Sequence, residues 1–258
     1  MLNLRNTNIV TGLILGVLGW FYFRQGLSLW WLLPLGVAYS LVLFYGSYVV
    51  SSNFYIKVTC ALSAPAGKIM AISFDDGPAS EHTAEILDIL KEQGVEAAFF
   101  CIGQRVAGRE NLLQKAHADG HVIGNHSYSH HLWFDLFSTA KMRTDLDQAD
   151  EAIQSAIGLR PRLFRPPYGV TNPNLARAIR RGGYTPIGWS IRSLDTVIKD
   201  ENKLLERVTG AFHPGAILLF HDTCKSTLDV LPEVIGMARA QGYVFMRPDK
   251  MLNVEPYA

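Results

Sequence analysis

The feature that most constrains the fold of this chain is a regular alternation of short apolar runs and amphipathic segments, which begins at about Lys68. In segment 138–158, for example, Met142, Leu146, Ala149 and Ile153 recur at helical spacing. Buried strands that alternate with helices predict an α/β fold with a parallel sheet, and seven such units predict a closed or nearly closed TIM-like (β/α)7 barrel. The seven apolar runs are 69–74, 95–102, 121–124, 162–164, 184–190, 216–220 and 243–246.

Capping residues predict several of the helix ends in this region. Ser80 is a candidate first cap after the first strand, and Ser138 with Gly158 brackets the longest helix. The pair Asn172-Pro173 is typical of a helix start, because proline is tolerated in the first turn.

The first 52 residues differ in composition from the rest of the chain. Of 47 charged residues, only Arg5 and Arg24 lie in the first 56 positions. Two long apolar stretches therefore predict a transmembrane hairpin over residues 1–52, with spans of about 6–23 and 26–50. A secretory signal peptide or a buried core helix is the alternative, although two such stretches in succession favour the hairpin. Residues 53–67 are predicted to be a linker, and residues 68–258 to form the α/β domain.

The charge pattern limits the possible partners and leaves the membrane orientation open. A net charge of +1 gives no reason to expect a nucleic-acid partner. The hairpin predicts membrane lipid as a partner and a multi-pass location in the cell membrane. An extracytoplasmic location is expected for the α/β domain. The basic residues that flank the two spans barely discriminate the two sides of the membrane, so they do not determine this orientation.

Polar residues follow the predicted strands at the points where the strands end. Because active sites of barrel enzymes lie at the carboxyl ends of the strands, these residues are expected at one face of the barrel. They are Asp75, Asp76, His126, His130, Arg165, Asp195, His221 and Asp222.

Three of these residues form a candidate metal site. His126 and His130 are four apart, which in a helical turn would place both imidazoles on one face. Taken alone, such a pair is more often a solvated helix face, but Asp76 from another strand end completes a set of two histidines and one carboxylate. This set leaves coordination positions open, as a catalytic divalent metal requires.

An open metal site favours hydrolysis of an amide or ester, which also needs a base and an acid. Asp75 stands beside the ligand Asp76 and is the candidate base, with Arg165 as its ion-pair partner. His221 is the candidate acid, although a core histidine at a strand end would look the same. The prolines after Arg165 leave the Tyr168 amide as the first free donor, which suits an oxyanion.

Four motifs in this order carry a resemblance to a known family. They are Ser73-Phe74-Asp75-Asp76-Gly77-Pro78, His126-Ser127-Tyr128-Ser129-His130, Arg165-Pro166-Pro167-Tyr168-Gly169 and Leu219-Phe220-His221-Asp222. They resemble four of the five motifs of the polysaccharide deacetylase family, also called the NodB-homology or carbohydrate esterase family four, over roughly residues 68–246.

The resemblance implies a distorted (β/α)7 barrel and metal-dependent removal of acetyl groups from N-acetylglucosamine-type sugars. It implies Zn²⁺ as the usual metal, with Co²⁺ or Ni²⁺ as substitutes, and it places Leu219 in the acetyl-methyl pocket. The remaining motif departs from the family pattern: Asp195 is present to orient His221, but Arg192 replaces an aspartate and Thr196 replaces a tryptophan. The loss of that aromatic wall bears on the substrate more than on the catalysis.

Three functions are therefore distinguished. The leading one is a membrane-anchored N-deacetylase of a cell-envelope polysaccharide. The second keeps the reaction and changes the substrate to an N-acyl or formyl group on a lipid-linked sugar. The third is a non-catalytic metal- or glycan-binding membrane protein, which the presence of both Asp75 and His221 disfavours.

Overall fold

A computed structural model describes residues 2–79 and 81–258 of the chain. The chain begins with two apolar helices, α1 (Leu4–Gln25) and α2 (Leu32–Tyr48). By length and composition alone, the helical stretches Leu4–Gln25 and Leu29–Tyr48 are long and apolar enough to cross a membrane. The hydroxyl of Tyr39 on α2 donates a hydrogen bond to Asn8 of α1, at 2.9 Å.

The rest of the chain alternates strands and helices as predicted. The strands are β1 (Ile69–Asp75), β2 (Ala98–Cys101), β3 (Val122–Asn125), β4 (Leu163–Phe164), β5 (Thr185–Pro186), β6 (Ile191–Arg192), β7 (Ala216–His221) and β8 (Val244–Phe245). The helices are α3 (Thr83–Glu92), α4 (Glu110–Ala118), α5 (Thr139–Ile157), α6 (Pro173–Gly182), α7 (Glu201–Thr209), α8 (Lys225–Ala240) and α9 (Pro248–Leu252).

Local capping explains where several helices begin and end. The Ser138 side chain accepts a hydrogen bond from the Lys141 amide at the start of α5, and Gly158 ends that helix in the left-handed region. Asn172 caps α6 in the same way, with Pro173 in the first turn. Helix α3 begins after His82, and the predicted cap Ser80 lies outside the described residues.

All strand pairs are parallel, and β1 lies near the middle of the sheet. The order is β5-β4-β3-β2-β1-β7-β6, with β8 paired to the start of β1. One layer of apolar residues, including Met70, Ile72 and Phe74, packs between the sheet and the helices. A second layer, including Ala71 and Ile217, fills the inside of the curled sheet. This architecture confirms the prediction of a distorted (β/α)7 barrel.

The predicted fifth strand, 184–190, is shorter in the structure, where only Thr185–Pro186 form β5 and a separate strand, β6, begins just beyond the predicted range at Ile191. β5 pairs with β4 and β6 pairs with β7, so one stretch of chain joins both edges of the sheet. The break lies at Gly188, where a Cβ would be 2.6 Å from the Cys60 sulfur. Close approach of the preceding segment therefore requires glycine at this position.

Segment 53–67, which precedes the barrel, packs against its open side. The Thr59 amide donates to the Pro186 carbonyl at 3.1 Å, and the Gly188 amide donates to the Thr59 carbonyl at 2.9 Å. Further along, the Leu62 amide donates to the Gly215 carbonyl just before β7. The segment thus supplies backbone hydrogen bonds in the gap between β5 and β7.

Candidate active site

The carboxyl ends of the strands bring the predicted site residues to one edge of the sheet. β1 presents Asp75 and Asp76, and β7 presents His221, which is the direct register partner of Asp75. The loops after β3 and β4 supply the two candidate ligand histidines and Arg165. Parallel pairing makes this convergence unavoidable, because all strands end at the same edge.

Asp76, His126 and His130 place three ligand atoms within 4.8 Å of one another. The Nε2 atoms of both histidines lie 3.5 Å from Asp76 Oδ1. That oxygen is buried and accepts no hydrogen bond from residues 2–79 or 81–258. The Nδ1 atom of His126 lies 2.8 Å from the Arg165 carbonyl, so it carries the proton and leaves Nε2 free to bind a cation. These features fit a divalent metal.

The ligand histidines do not lie in a helical turn, so this part of the prediction was wrong. Residues 126–130 form a loop in which Ser127 and His130 have left-handed backbone angles, with φ of 65° and 42°. The Ser127 hydroxyl accepts a hydrogen bond from the His130 amide at 3.0 Å. The two imidazoles therefore converge because the loop is bent back, with their ring centroids 4.9 Å apart.

Two buried carboxylates on α5 hold this loop, and sequence reasoning missed both. Asp145 accepts hydrogen bonds from the amides of Tyr128 and Ser129 and from the Ser129 hydroxyl. Asp150 accepts from the Asn125 side chain at the end of β3, at 2.7 Å. The signal available in the sequence was the position of these acidic residues on the apolar face of an amphipathic helix, where an unpaired carboxylate is costly.

Asp75 is held by a fully buried arginine. Arg165 Nη1 donates to Asp75 Oδ1 at 2.7 Å and to the Ser73 hydroxyl at 2.9 Å. Its other nitrogens donate to the carbonyls of Ile187 and Gly188. The second carboxylate oxygen of Asp75 is 3.8 Å from His126 Nε2, so it faces the ligand set. The predicted ion pair is present, and it fixes one oxygen while the other points toward the site.

His221 is paired with Asp195 through two hydrogen bonds. His221 Nδ1 lies 2.7 Å from Asp195 Oδ1, and the His221 amide donates to Oδ2 at 2.6 Å. Burial disfavours the charged imidazole, but the hydrogen bond and negative charge of Asp195 outweigh it and raise the pKa of His221 above its usual value. This direction favours the protonated imidazole, which is the form that a general acid requires.

His130 has the opposite electrostatic environment. Burial, followed by the nearby charge of His126, lowers the pKa of His130 to about 4. The imidazole is thus neutral near pH 7, and a neutral imidazole is the form that binds a metal.

The loop after β4 shapes the opposite wall. The amides of Gly169 and Val170 donate to the carbonyls of Pro166 and Pro167, whereas the Tyr168 amide donates to no residue in the described ranges. Tyr168 has a φ of 58°, and Trp189 packs so closely on Gly169 that a Cβ there would be 2.6 Å from the indole. Trp189 is an aromatic site residue that the motif comparison did not single out.

The remaining predicted pocket residues lie at different depths. Leu219 is buried and lies two residues before His221 on the same face of β7. Thr196 is exposed, and its amide donates to Asp195 Oδ1 at 2.9 Å. Arg192 is also exposed and lies over the Trp189 ring at 5.9 Å. The structure therefore brings Leu219 to the site and leaves the Thr196 side chain at the rim.

The fold and these side chains together define a class of metal-dependent hydrolase. Beside the metal ligands, such a site has one carboxylate that is ion-paired, here Asp75, and one histidine that is hydrogen-bonded to a second carboxylate, here His221 on β7. A profile of the family described as polysaccharide deacetylase matches residues 63–187. A peptidoglycan-N-acetylglucosamine deacetylase of Bacillus cereus is 30% identical over 202 residues, which are 76% of this chain and 73% of the relative.

Two further comparisons agree with these. The peptidoglycan-N-acetylglucosamine deacetylase PgdA of Listeria monocytogenes is 32% identical over 76% of this chain, but the chain spans only 41% of PgdA. The crystal structure of the peptidoglycan N-acetylglucosamine deacetylase Bc1960 superposes with a TM-score of 0.73 at 26% identity, covering 78% of this chain and 94% of that one. The chain belongs to the polysaccharide deacetylase family, carbohydrate esterase family four, and is a carbohydrate deacetylase, as its motifs predicted.

Proposed function

We propose that this protein removes N-acetyl groups from N-acetylglucosamine-type sugars of a cell-envelope polysaccharide while anchored in the cell membrane by its N-terminal hairpin. The observation that carries the proposal is the convergence of Asp76, His126 and His130 beside an ion-paired Asp75, with His221 as its register partner on β7. The named relatives, which act on peptidoglycan, support the substrate class.

The ion in this site is proposed to be Zn²⁺, with Co²⁺ or Ni²⁺ as possible substitutes. Two imidazoles and one carboxylate match the ligands that Zn²⁺ takes in catalytic sites, with a position left open. When bound, the ion would supply Lewis-acid chemistry, polarising the acyl oxygen and acidifying a water molecule.

The chain's own residues divide the proton transfers. Asp75, held in place by its hydrogen bond with Arg165, accepts the proton of the attacking water. The Tyr168 amide donates to the oxyanion that develops on the acyl carbon. His221, kept protonated by Asp195, gives a proton to the sugar nitrogen as the amide bond breaks. Leu219 contacts the acetyl methyl group, and the exposed Thr196 leaves the rim of this pocket without an aromatic wall.

A lipid-linked amino sugar is the second candidate substrate. The loop after β4 supports it, because the Thr171 amide donates to the Ser47 carbonyl at the end of α2, at 3.0 Å. One wall of the site therefore rests on the helix proposed to enter the membrane. The relatives named as peptidoglycan deacetylases support a catalytic domain that faces the cell envelope.

The experiment that tests the proposal is acetate release by the full-length protein in detergent, assayed on peptidoglycan, chitin oligomers and a lipid-linked N-acetylglucosamine. Chelator should abolish release, and Zn²⁺ should restore it. Chelator-resistant release would rule out the metal site, and the absence of release from every substrate would favour the third function, a non-catalytic metal- or glycan-binding protein.

A further inference from the structure

One loop beside the metal site exposes an unusual amount of apolar surface. Leu132, Trp133 and Leu136 are 65%, 58% and 71% exposed, although they lie within a stretch of five residues. Between and after them, Phe134 and Phe137 are buried, so the loop is anchored and its three apolar side chains are held outward. We call residues 131–137 the apolar loop. Clustered exposed apolar side chains of this kind mark a contact with a partner or a membrane.

The apolar loop is connected to the N-terminal hairpin through two consecutive residues. Asn172 donates from its side chain to the Asp135 carbonyl at 2.6 Å. Its neighbour Thr171 donates from its amide to the Ser47 carbonyl, and from its hydroxyl to the Gly46 carbonyl at 3.1 Å. These are carbonyls of the last turn of α2, where a helix leaves its acceptors unpaired. The apolar loop therefore lies beside the end of the hairpin.

The apolar loop is also continuous with the metal site. It follows directly after the ligand His130, whose ring centroid is 4.6 Å from that of Tyr168. Tyr168 is 48% exposed, and its hydroxyl lies 3.4 Å from the His130 carbonyl. The site thus has one continuous rim on the side of the hairpin. This rim consists of the candidate ligand His130, the Tyr168 side chain and the apolar loop.

We propose that the apolar loop inserts into the interface of the bilayer that the hairpin crosses, so that the site opens at the membrane surface toward an N-acylated sugar carried by a lipid. The inference rests on the proposed hairpin and on the proposed deacylase activity. Tryptophan and leucine on an anchored loop suit the boundary between headgroups and acyl chains. The bilayer is the occupant that the contacts favour, because the loop is contiguous with the helix proposed to span it.

Insertion is tested directly by fluorescence of the full-length protein in vesicles. The emission of Trp133 is obtained by subtracting the spectrum of a Trp133→Phe variant from that of the wild type. Lipids brominated in the acyl chains should quench this Trp133 emission. The indoles of the hairpin and Trp189 cancel in this difference. A Trp133 component with the same intensity in brominated and plain lipid would overturn the proposal.

The consequence for the substrate is tested with the paired variant Leu132→Asp/Leu136→Asp. We expect acetate release from a lipid-linked N-acetylglucosamine in vesicles to fall at least about tenfold, and release from a soluble chitin oligomer to stay within about twofold. Val244→Asp is the matched control, because Val244 is 60% exposed and pairs with the start of β1, at the opposite end of the barrel. It should leave both rates unchanged.

The outcomes separate this inference from the proposed function. Equal losses on both substrates, or no loss on either, would contradict the membrane role of the apolar loop. No acetate release from any substrate by the wild type would instead contradict the deacylase activity, and the Trp133 quenching would still decide whether the loop enters the bilayer.

Discussion

Asp75 and Asp76 are adjacent in the sequence and have different environments in the structure. Asp75 is buried and paired with Arg165, whereas Asp76 has a φ of 76° and directs Oδ1 toward both ligand histidines. A left-handed backbone at a residue other than glycine costs free energy and persists only where the surroundings impose it. The strained turn after β1 is what allows two neighbouring carboxylates to face one site.

This division of roles predicts the effect of Asp75→Asn. The amide can still hydrogen-bond Arg165 but cannot accept the water proton, so we expect acetate release to fall by about 10²–10⁴-fold while metal content stays near one ion per chain. Asp76→Asn is the matched variant and should lose metal as well as activity. Metal analysis and acetate release decide the matter, and an active Asp75→Asn protein would remove Asp75 from the mechanism.

The pairing of His221 with Asp195 predicts a change in the pH profile. Asp195 raises the pKa of His221, so the acid form of His221 survives to higher pH in the wild type. In Asp195→Asn that stabilisation is lost, and the pKa of His221 falls. Because activity requires the protonated form, the alkaline limb of the acetate-release profile should move to lower pH. An alkaline limb at the wild-type position would show that another group controls it.

At the scale of elements, helix α5 acts as a support for the metal loop. Asp145 accepts hydrogen bonds from two of the three amides between the ligand histidines, those of Tyr128 and Ser129. Removal of this carboxylate would leave both donors unpaired. Metal ligands depend on such supporting hydrogen bonds for their orientation.

We therefore expect Asp145→Ala to weaken Zn²⁺ binding by about 10–100-fold, measured by competition with a chromophoric chelator. Asp147→Ala is the control on the same helix, because Asp147 pairs with Arg143 and Arg160 and not with the loop. If the two variants bind Zn²⁺ equally well, the support role of Asp145 is wrong.

Local signals were sufficient to predict several helix ends but not the features that depend on residues distant in the chain. Ser138, Gly158 and Asn172 cap helices through contacts within one helical turn, so these helix ends can be predicted from residues that are close in the sequence. The break at Gly188 depends on Cys60, which is far away in the chain, and no local pattern reports it. The site residues were predictable as a set because parallel strands end together. The bent backbone of residues 126–130 was not predictable, because it depends on hydrogen bonds to Asp145 on helix α5.

At the scale of the whole molecule, contacts near the carboxyl end of α2 fasten the two helices of the proposed hairpin to the rest of the chain. Phe54 is buried against Gly46 of α2, where any Cβ would overlap its ring, and the Leu4 amide of α1 donates to the Phe54 carbonyl at 3.2 Å. Both apolar helices are therefore tied to the same buried aromatic residue, next to Thr171 of the site loop.

This fastening predicts that Gly46→Val loosens the hairpin from the barrel. The new side chain must displace Phe54, so we expect trypsin to cleave after the exposed Lys57 several times faster than in the wild type, as followed by mass spectrometry. Gly36→Val is the matched control on the same helix, because nothing lies within 4 Å of a Cβ at that position. Equal cleavage rates in the two variants would show that the Phe54 contact does not hold the hairpin.

The backbone pairing of Thr59 with the chain on both sides of Ile187 has a practical consequence for anyone who wishes to crystallise the barrel without helices α1 and α2. A version trimmed at residue 68 would keep every catalytic side chain and yet expose unpaired amides and carbonyls along an open seam. A form without α1 and α2 should instead retain the chain from Val58 onward, so that these backbone groups stay hydrogen-bonded.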